Sequence, residues 1–454
     1  MTGARIAIFG LGRSGVSAAK LALKMGAIPT ICDEKPADQF VGDPLLEDSK
    51  SLEIHTQFGF EGEWSASETD LIVTSPGVPK NHQKLLNAVR NGIQVISEIE
   101  LAYRASRAPI IAITGTNGKS TTTVMTYLCL KAAGVDAVLC GNIYGSGYHE
   151  IALTEAAMDS KPDQVLVAEI SSFQLEWIDK FQPMAAIITN LSDDHLNRYA
   201  DFAEYVATKR RVFENMAEGD SAVWNNAFPN CEPPKGKGIL TYDLGTEKGD
   251  AFFLDEQKLL VRGEPIELSD LPFGGKHNYE NAMAAMLLAA TFFDFEFDTA
   301  KLVPGLKAFR GLSHRMEHIG SKQGVLLINN SMCTNPAAIV ASSQSLSRRQ
   351  HLLVGGVDKG MDFAPVREYL EVSNHEVYLF GTDAMTIRRQ LGDNLPVFLT
   401  MAEAFEFAIT RAKDGEIVML APGAASMDQF SDFRDRGEQF TKMAKEWLEE
   451  CETV

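Results

Sequence analysis

The chain has 454 residues, too many for one hydrophobic core, and its length suggests roughly three domains. A formal charge of −19 with no segregated basic patch argues against nucleic acid or an anionic membrane as partner. Six cysteines (Cys32, Cys129, Cys140, Cys231, Cys333 and Cys451) without C-x-x-C spacing fit reduced thiols rather than a disulfide or zinc framework, and no apolar stretch reaches the ~18–20 residues of a membrane span, so the sequence reads as cytoplasmic.

The first predicted strand, Arg5-Ile-Ala-Ile-Phe9, runs into Gly10-Leu-Gly12-Arg-Ser-Gly15 and a helix ending at Gly26. A second strand, Pro29 to Cys32, ends at Asp33 and Glu34, where an acidic side chain is placed to meet a ribose. Read alone this is a dinucleotide fingerprint, in which Gly12 lets a diphosphate approach the backbone. It suits a nicotinamide dehydrogenase or a UDP-sugar enzyme equally, but nothing later supplies a hydride-transfer site. A third strand ends in Ser75-Pro76-Gly77, a turn of the kind that lines the crevice at the carboxyl edge of a parallel sheet.

The next segment is the most informative. Pro109 to Thr114 reads as a buried strand, Gly115-Thr116-Asn117-Gly118 as a glycine turn, and Lys119-Ser120-Thr121 opens a helix that runs to Gly134. Strand, glycine turn and helix form a phosphate cradle: loop amides and the helix dipole converge on one spot. Lys119 adds a positive charge and Ser120 offers a hydroxyl to phosphate-bound Mg²⁺.

Downstream, a strand from Asp163 ends at Glu169, and the strand from Ala185 to Thr189 leads into Asp193-Asp194-His195. Oxygen ligands with one histidine suit Mg²⁺ that also carries phosphate, and Glu169 and His195 are expected to end neighbouring strands beside the glycine loop. A helix is expected over Asp201 to Met216, with an apolar stripe of Phe202, Tyr205, Val206, Val212, Phe213 and Met216 that encloses Lys209. Desolvation there favours a neutral, nucleophilic amine, although a snorkelling lysine gives the same periodicity. Asn278, at the start of a later Ala/Met/Leu helix, reads as a helix cap when taken alone. From about Leu312 strands and helices alternate again, which predicts a third α/β unit with a mostly parallel sheet.

These motifs, in this order and spacing, resemble the Mur ligases over essentially the whole length. The resemblance implies an α/β protein of three domains: an N-terminal Rossmann-like UDP-substrate domain (1–106), a central P-loop ATPase-type domain (107–311) and a C-terminal Rossmann-like domain that brings the amino acid (312–454). It implies that ATP, with two Mg²⁺, activates a UDP-sugar carboxylate for attack by an amino acid, D-glutamate being the substrate of the most similar branch. ATP would be met by Gly115 to Thr121, Asn278 and Arg315. The UDP substrate would be met by Gly12, Arg13, Ser14, Asp33, Glu34, Ser75, Gly77 and Asn142, and the amino acid by Thr334, Lys359, Ser426 and Phe433. Metals would be held by Ser120, Glu169, His195 and a carbamylated Lys209, with Lys119, Glu169, His195 and Lys209 as the catalytic set. Small-molecule substrates and a monomer are expected, without nucleic acid or membrane partners.

Two departures qualify the substrate. Asn330 and Met332 stand where the family loop commonly carries an acid and a lysine, and Asn197 replaces a usual aspartate. The lysine is a carboxylate anchor worth roughly 1.5–3 kcal/mol as a charge-assisted contact, and Arg434 offers another cation. A ligase for another amino acid or for L-glutamate, and a Mur-like protein that binds nucleotide without ligating, therefore stay open.

Overall fold

A computed structural model describes residues 1–192, 198–228, 232–234, 238–243, 249–293, 298–358 and 360–449. Asp193, Asp194, His195, Asn197, Cys231, Lys359 and Cys451 lie outside the described residues. The chain divides into two compact units, Met1–Tyr144 with Tyr148–Arg310, and Gly145–Gly147 with Gly311–Val454.

The first unit holds two sheets. β1 (Arg5–Phe9), β2 (Ile28–Asp33), β3 (His55–Phe58), β4 (Leu71–Thr74) and β5 (Gln94–Ser97) pair in parallel in the order β3-β2-β1-β4-β5. The second sheet takes β6 (Ile110–Thr114), β7 (Asp136–Gly141), β8 (Gln164–Glu169), β9 (Ala185–Ile188), β10 (Ser221–Asn225), β11 (Gly238–Asp243), β12 (Ala251–Asp255), β13 (Lys258–Val261) and β14 (Glu264–Glu267). Its order is β14-β13-β12-β11-β10-β9-β6-β8-β7, parallel from β12 to β7, with β12, β13 and β14 antiparallel. Strands β4, β6 and β9 are buried on both faces, which explains their unbroken apolar, β-branched sequences. Helices Arg13–Lys24, Glu98–Ala105 and Leu153–Met158 pack on one another, and a single apolar cluster runs from Ile6 to Trp224 through both sheets.

The second unit has one sheet: β15 (Glu317–Lys322), β16 (Val325–Asn329), β17 (Gln350–Gly355), β18 (Glu376–Phe380), β19 (Val397–Phe398) and β20 (Ile417–Leu420), in the order β15-β16-β20-β17-β18-β19. β15 is antiparallel and the rest are parallel, with an apolar cluster on each side of the sheet.

Two expectations are corrected. β8 and β9 are not neighbours: β6 lies between them and pairs with both. The helix expected to reach Met216 is α-helical only over Phe202–Arg210, then tightens into a 3₁₀ turn, Arg211–Phe213. Arg211 is held there by the carbonyls of Leu175, Glu176 and Ile178, and Phe202 at the first turn is exposed rather than part of the stripe. Cys32, Cys129, Cys140 and Cys333 are buried free thiols, and burial pushes Cys32 up to about 11. No helix among the described residues is long and apolar enough to cross a membrane.

Candidate functional site

The loop between β6 and the helix Lys119–Ala132 is fixed by steric need. Gly115 has φ of 145°, and a Cβ there would lie 2.0 Å from Thr189 Oγ1; Gly118, at φ of 79°, would meet Asn281 Oδ1 at 2.5 Å. The segment after β9 grips this loop. Asn190 Oδ1 accepts from the Asn117 N–H at 2.8 Å, and Asn190 Nδ2 and Thr189 Oγ1 donate to the Asn117 carbonyl at 2.9 and 2.6 Å. Thr116 donates its N–H to the Asn190 carbonyl, and its hydroxyl lies 3.1 Å from the Tyr205 hydroxyl. Nothing in the sequence marks Thr189, Asn190 and Asn281 as shaping this loop, because short polar side chains become specific only when the fold brings separate segments together.

Lys119 donates to the Thr116 carbonyl at 2.8 Å, which keeps its ammonium at the loop. Lys209 is 2% exposed and donates to the Gly115 carbonyl at 2.8 Å, with Thr114 Oγ1 at 3.5 Å and the Tyr205 ring centroid at 4.8 Å. Glu169, 3% exposed at the end of β8, accepts from Ser120 Oγ at 2.6 Å and from Asn142 Nδ2 at 3.1 Å. Ser120, Glu169 and Lys209 thus meet the same loop, and Asn142, expected at the UDP substrate, is a partner of Glu169. Thr121 is buried in the loop helix. Among the described residues no three His, Cys, Asp or Glu side chains cluster as a metal site. The Ser120–Glu169 pair nonetheless offers hard oxygen donors that fit Mg²⁺.

At the carboxyl edge of the first sheet, Asp33 accepts from the N–H of Leu11 at 2.8 Å and of Lys35 at 2.9 Å, so its carboxylate braces the glycine turn. Ser75 Oγ donates to the Gly10 carbonyl at 3.2 Å. A Cβ at Gly15 would fall 2.2 Å from that carbonyl, whereas one at Gly12 would meet no protein atom within 4 Å. The protein itself therefore demands Gly15, and the open space at Gly12 fits close approach by a ligand. Ser14 follows in the first turn of the helix, where Arg13 stacks over the Tyr144 ring at 3.6 Å and burial lowers its pKa. Glu34 pairs with Lys84 at 2.7 Å and with His82 at 3.2 Å, contacts that hold its carboxyl below the usual range. Gly77 is exposed.

Asn278 is not an N-cap: Gly275 holds that position, and Asn278 Nδ2 donates to the Gly274 carbonyl at 2.8 Å. In the second unit, Arg315 lies between His314 and Met316, both with positive φ. Thr334 is exposed beyond β16, Ser426 is buried, and Phe433 opens the helix Phe433–Glu449. Ser331 Oγ donates to the Phe433 carbonyl at 2.6 Å and accepts from Arg436 Nε at 3.0 Å. Arg436 also donates to the carbonyls of Ser331 and Ala424, and burial lowers it to about 10. Met332 donates its N–H to the His314 carbonyl, Asn330 Oδ1 accepts from the Met316 N–H, and Arg434 pairs with Asp432.

Loop amides, an ammonium and a serine–carboxylate pair at the edge of a parallel sheet define a phosphate-handling α/β protein, here carrying two further sheets. The chain belongs to the Mur ligase family. Residues 4–97 match the Mur ligase MurD-like N-terminal domain, residues 113–289 the Mur ligase middle domain and residues 314–423 the Mur ligase glutamate ligase domain. It is 35% identical to a UDP-N-acetylmuramoylalanine--D-glutamate ligase of Sodalis glossinidius, over 98% of each chain. A protein of the same name from Koribacter versatilis is 34% identical, over 99% of this chain and 98% of that one. Among solved structures, MurF ligase of Thermotoga maritima in complex with ADP aligns with a TM-score of 0.59 at 16% identity, covering 98% of each chain. MurC of Thermotoga maritima aligns with a TM-score of 0.58 at 17% identity, covering 98% of this chain and 99% of that one.

Proposed function

We propose that the protein joins D-glutamate to UDP-N-acetylmuramoyl-L-alanine at the expense of ATP, a step in building peptidoglycan precursor. The observation that carries this is the ordered glycine loop with Lys119 and the Ser120–Glu169 pair, in a chain whose full-length relatives bear that ligase name. The division 1–106, 107–311 and 312–454 assigns UDP substrate, ATP and amino acid to successive parts.

Joining a carboxylate to an amine in water is uphill. The alanyl carboxylate oxygen therefore attacks the γ-phosphorus of ATP, and the bond to the β-phosphate oxygen breaks to release ADP. The amine of D-glutamate then attacks the acyl phosphate carbon, phosphate leaves, and the ammonium proton passes to solvent or phosphate. Lys119 and the amides of Gly115 to Thr121 bind and orient the transferring phosphoryl group, an electrostatic task. Mg²⁺ would be held by Ser120, Glu169, His195 and a carbamylated Lys209, and when bound it neutralises phosphate charge. A carbamate on Lys209 keeps one N–H for the Gly115 carbonyl that the amine now meets. Gly12, Arg13, Ser14, Asp33, Glu34, Ser75, Gly77 and Asn142 serve the UDP substrate. Asn278 and Arg315 serve the nucleotide, and Thr334, Lys359, Ser426 and Phe433 the amino acid, with Arg434 supplying the cation absent at Met332.

Phosphate release is the test, with ATP, UDP-N-acetylmuramoyl-L-alanine and a panel of D- and L-amino acids. D-glutamate should be turned over best. Turnover of another amino acid with D-glutamate ignored at millimolar concentration would reassign the substrate, and ATP binding without turnover of any would leave a non-ligating nucleotide binder.

A further inference from the structure

Arg198, between β9 and the helix Phe202–Arg210, makes a connection that the phosphate chemistry does not use. Its side chain is 11% exposed and forks onto Glu176, 1% exposed, with Nε to Oε1 at 2.9 Å and Nη2 to Oε2 at 2.6 Å. Nη2 also donates to the Val78 carbonyl at 2.8 Å, Nη1 reaches the Gly77 carbonyl at 3.5 Å, and the guanidinium lies over the Phe173 ring at 4.3 Å. Three segments are thereby tied together. One is the Ser75–Val78 turn after β4, at the carboxyl edge of the first sheet. The second follows β8, the strand that ends in Glu169, and the third follows β9 and opens with Thr189 and Asn190, which grip the glycine loop.

Stability is a poor reason to build this. A buried ion pair often does no better than apolar side chains of the same size, because desolvation offsets the attraction. What apolar side chains cannot supply is the fork of donors aimed at two backbone carbonyls of the turn. We propose that Arg198 is a positioning residue that sets the register between the Ser75–Val78 turn and the phosphate loop, so that the acceptor carboxylate of the UDP substrate arrives in line with the γ-phosphate. The proposal rests on the ligase reading given above.

The test compares the full-length parent with Arg198→Met, Arg198→Lys and the double variant Arg198→Met with Glu176→Met. The parent is assayed first: without phosphate release dependent on the UDP substrate, the ligase reading fails and this inference falls with it. Arg198→Met strands a buried carboxylate and should melt lower, whereas the double variant removes both charges and should recover most of the melting temperature. In the double variant kcat/KM for UDP-N-acetylmuramoyl-L-alanine should nonetheless remain on the order of 100-fold down, with KM for ATP within about twofold of the parent. Arg198→Lys, which keeps the charge but loses the fork, should recover only part of that loss. A stable double variant with the parent's kcat/KM for the UDP substrate would overturn the proposal and leave a structural ion pair. Equal losses toward ATP and the UDP substrate in a stable double variant would overturn it too.

Discussion

Lys209 shows how far one side chain's surroundings bear on its chemistry. Its Nζ is buried against the Gly115 carbonyl of the glycine loop. Lys209→Ala should lose on the order of 100-fold in phosphate release, the scale seen when one preorganised electrostatic group is removed. Short carboxylic acids should restore part of the activity by replacing a carbamate; full activity in the unsupplemented variant would remove Lys209 from the metal set. Glu98 is a second case. It accepts from Gln174 Nε2 at 2.7 Å, while its Oε2 is buried with no hydrogen-bond partner among the described residues. Burial pushes its pKa from 4.5 up to about 7. The folded protein thus binds this proton more tightly than the unfolded chain does. Its contribution is fully present below about 4.5, is lost as pH rises to about 7 and stays lost above. The loss is on the order of 3 kcal/mol. Glu98→Gln should therefore melt higher than the parent at pH 8, with the gap closing toward pH 4.5. A gap that does not depend on pH would mean that Glu98 is not protonated in the fold.

At the scale of elements, the loop before the helix Lys119–Ala132 depends on two glycines, Gly115 against Thr189 and Gly118 against Asn281. Gly115→Ala would place a methyl group 2.0 Å from Thr189 Oγ1 at a φ of 145°. The strain should cost about 1–3 kcal/mol, read as a lower urea midpoint, and ATP binding should weaken because the loop must move off Thr189 and Asn190. Unchanged ATP affinity would show that the loop tolerates that displacement. This loop was legible in the sequence because its glycines, lysine and flanking strand and helix are contiguous. So were β1, β4, β6 and β8, whose apolar runs are buried on both faces. β11 to β14 were not legible. Several mix buried with part-exposed residues, Lys258 opens β13 and glutamates bracket β14, so nothing marks them until a neighbouring strand is in place. Arg198 carries no mark in the sequence for a related reason: a charged residue in a loop looks solvated until the fold brings Glu176 to it.

For the molecule as a whole, the sheet of the second unit carries apolar clusters on both faces built from its own residues, from Val325 to Ala444. A fragment beginning at Gly311 should therefore fold alone and melt cooperatively by circular dichroism, and a non-cooperative melt would show that its core is incomplete. The large sheet of the first unit raises a different matter at its β14 end. An outermost strand offers unpaired backbone groups to any similar strand it meets. β14 is only Glu264–Glu267; Pro265 lacks an N–H, Glu264 and Glu267 bracket it with charge, and Glu267 pairs with Lys258 at 2.8 Å. These residues do little for the core, yet they make β14 a poor template for a second copy of the chain. Replacing Pro265 and both glutamates with valine should leave the melting temperature nearly unchanged while light scattering reveals concentration-dependent association. An equally dispersed variant would place the guard against edge-to-edge pairing elsewhere on the surface.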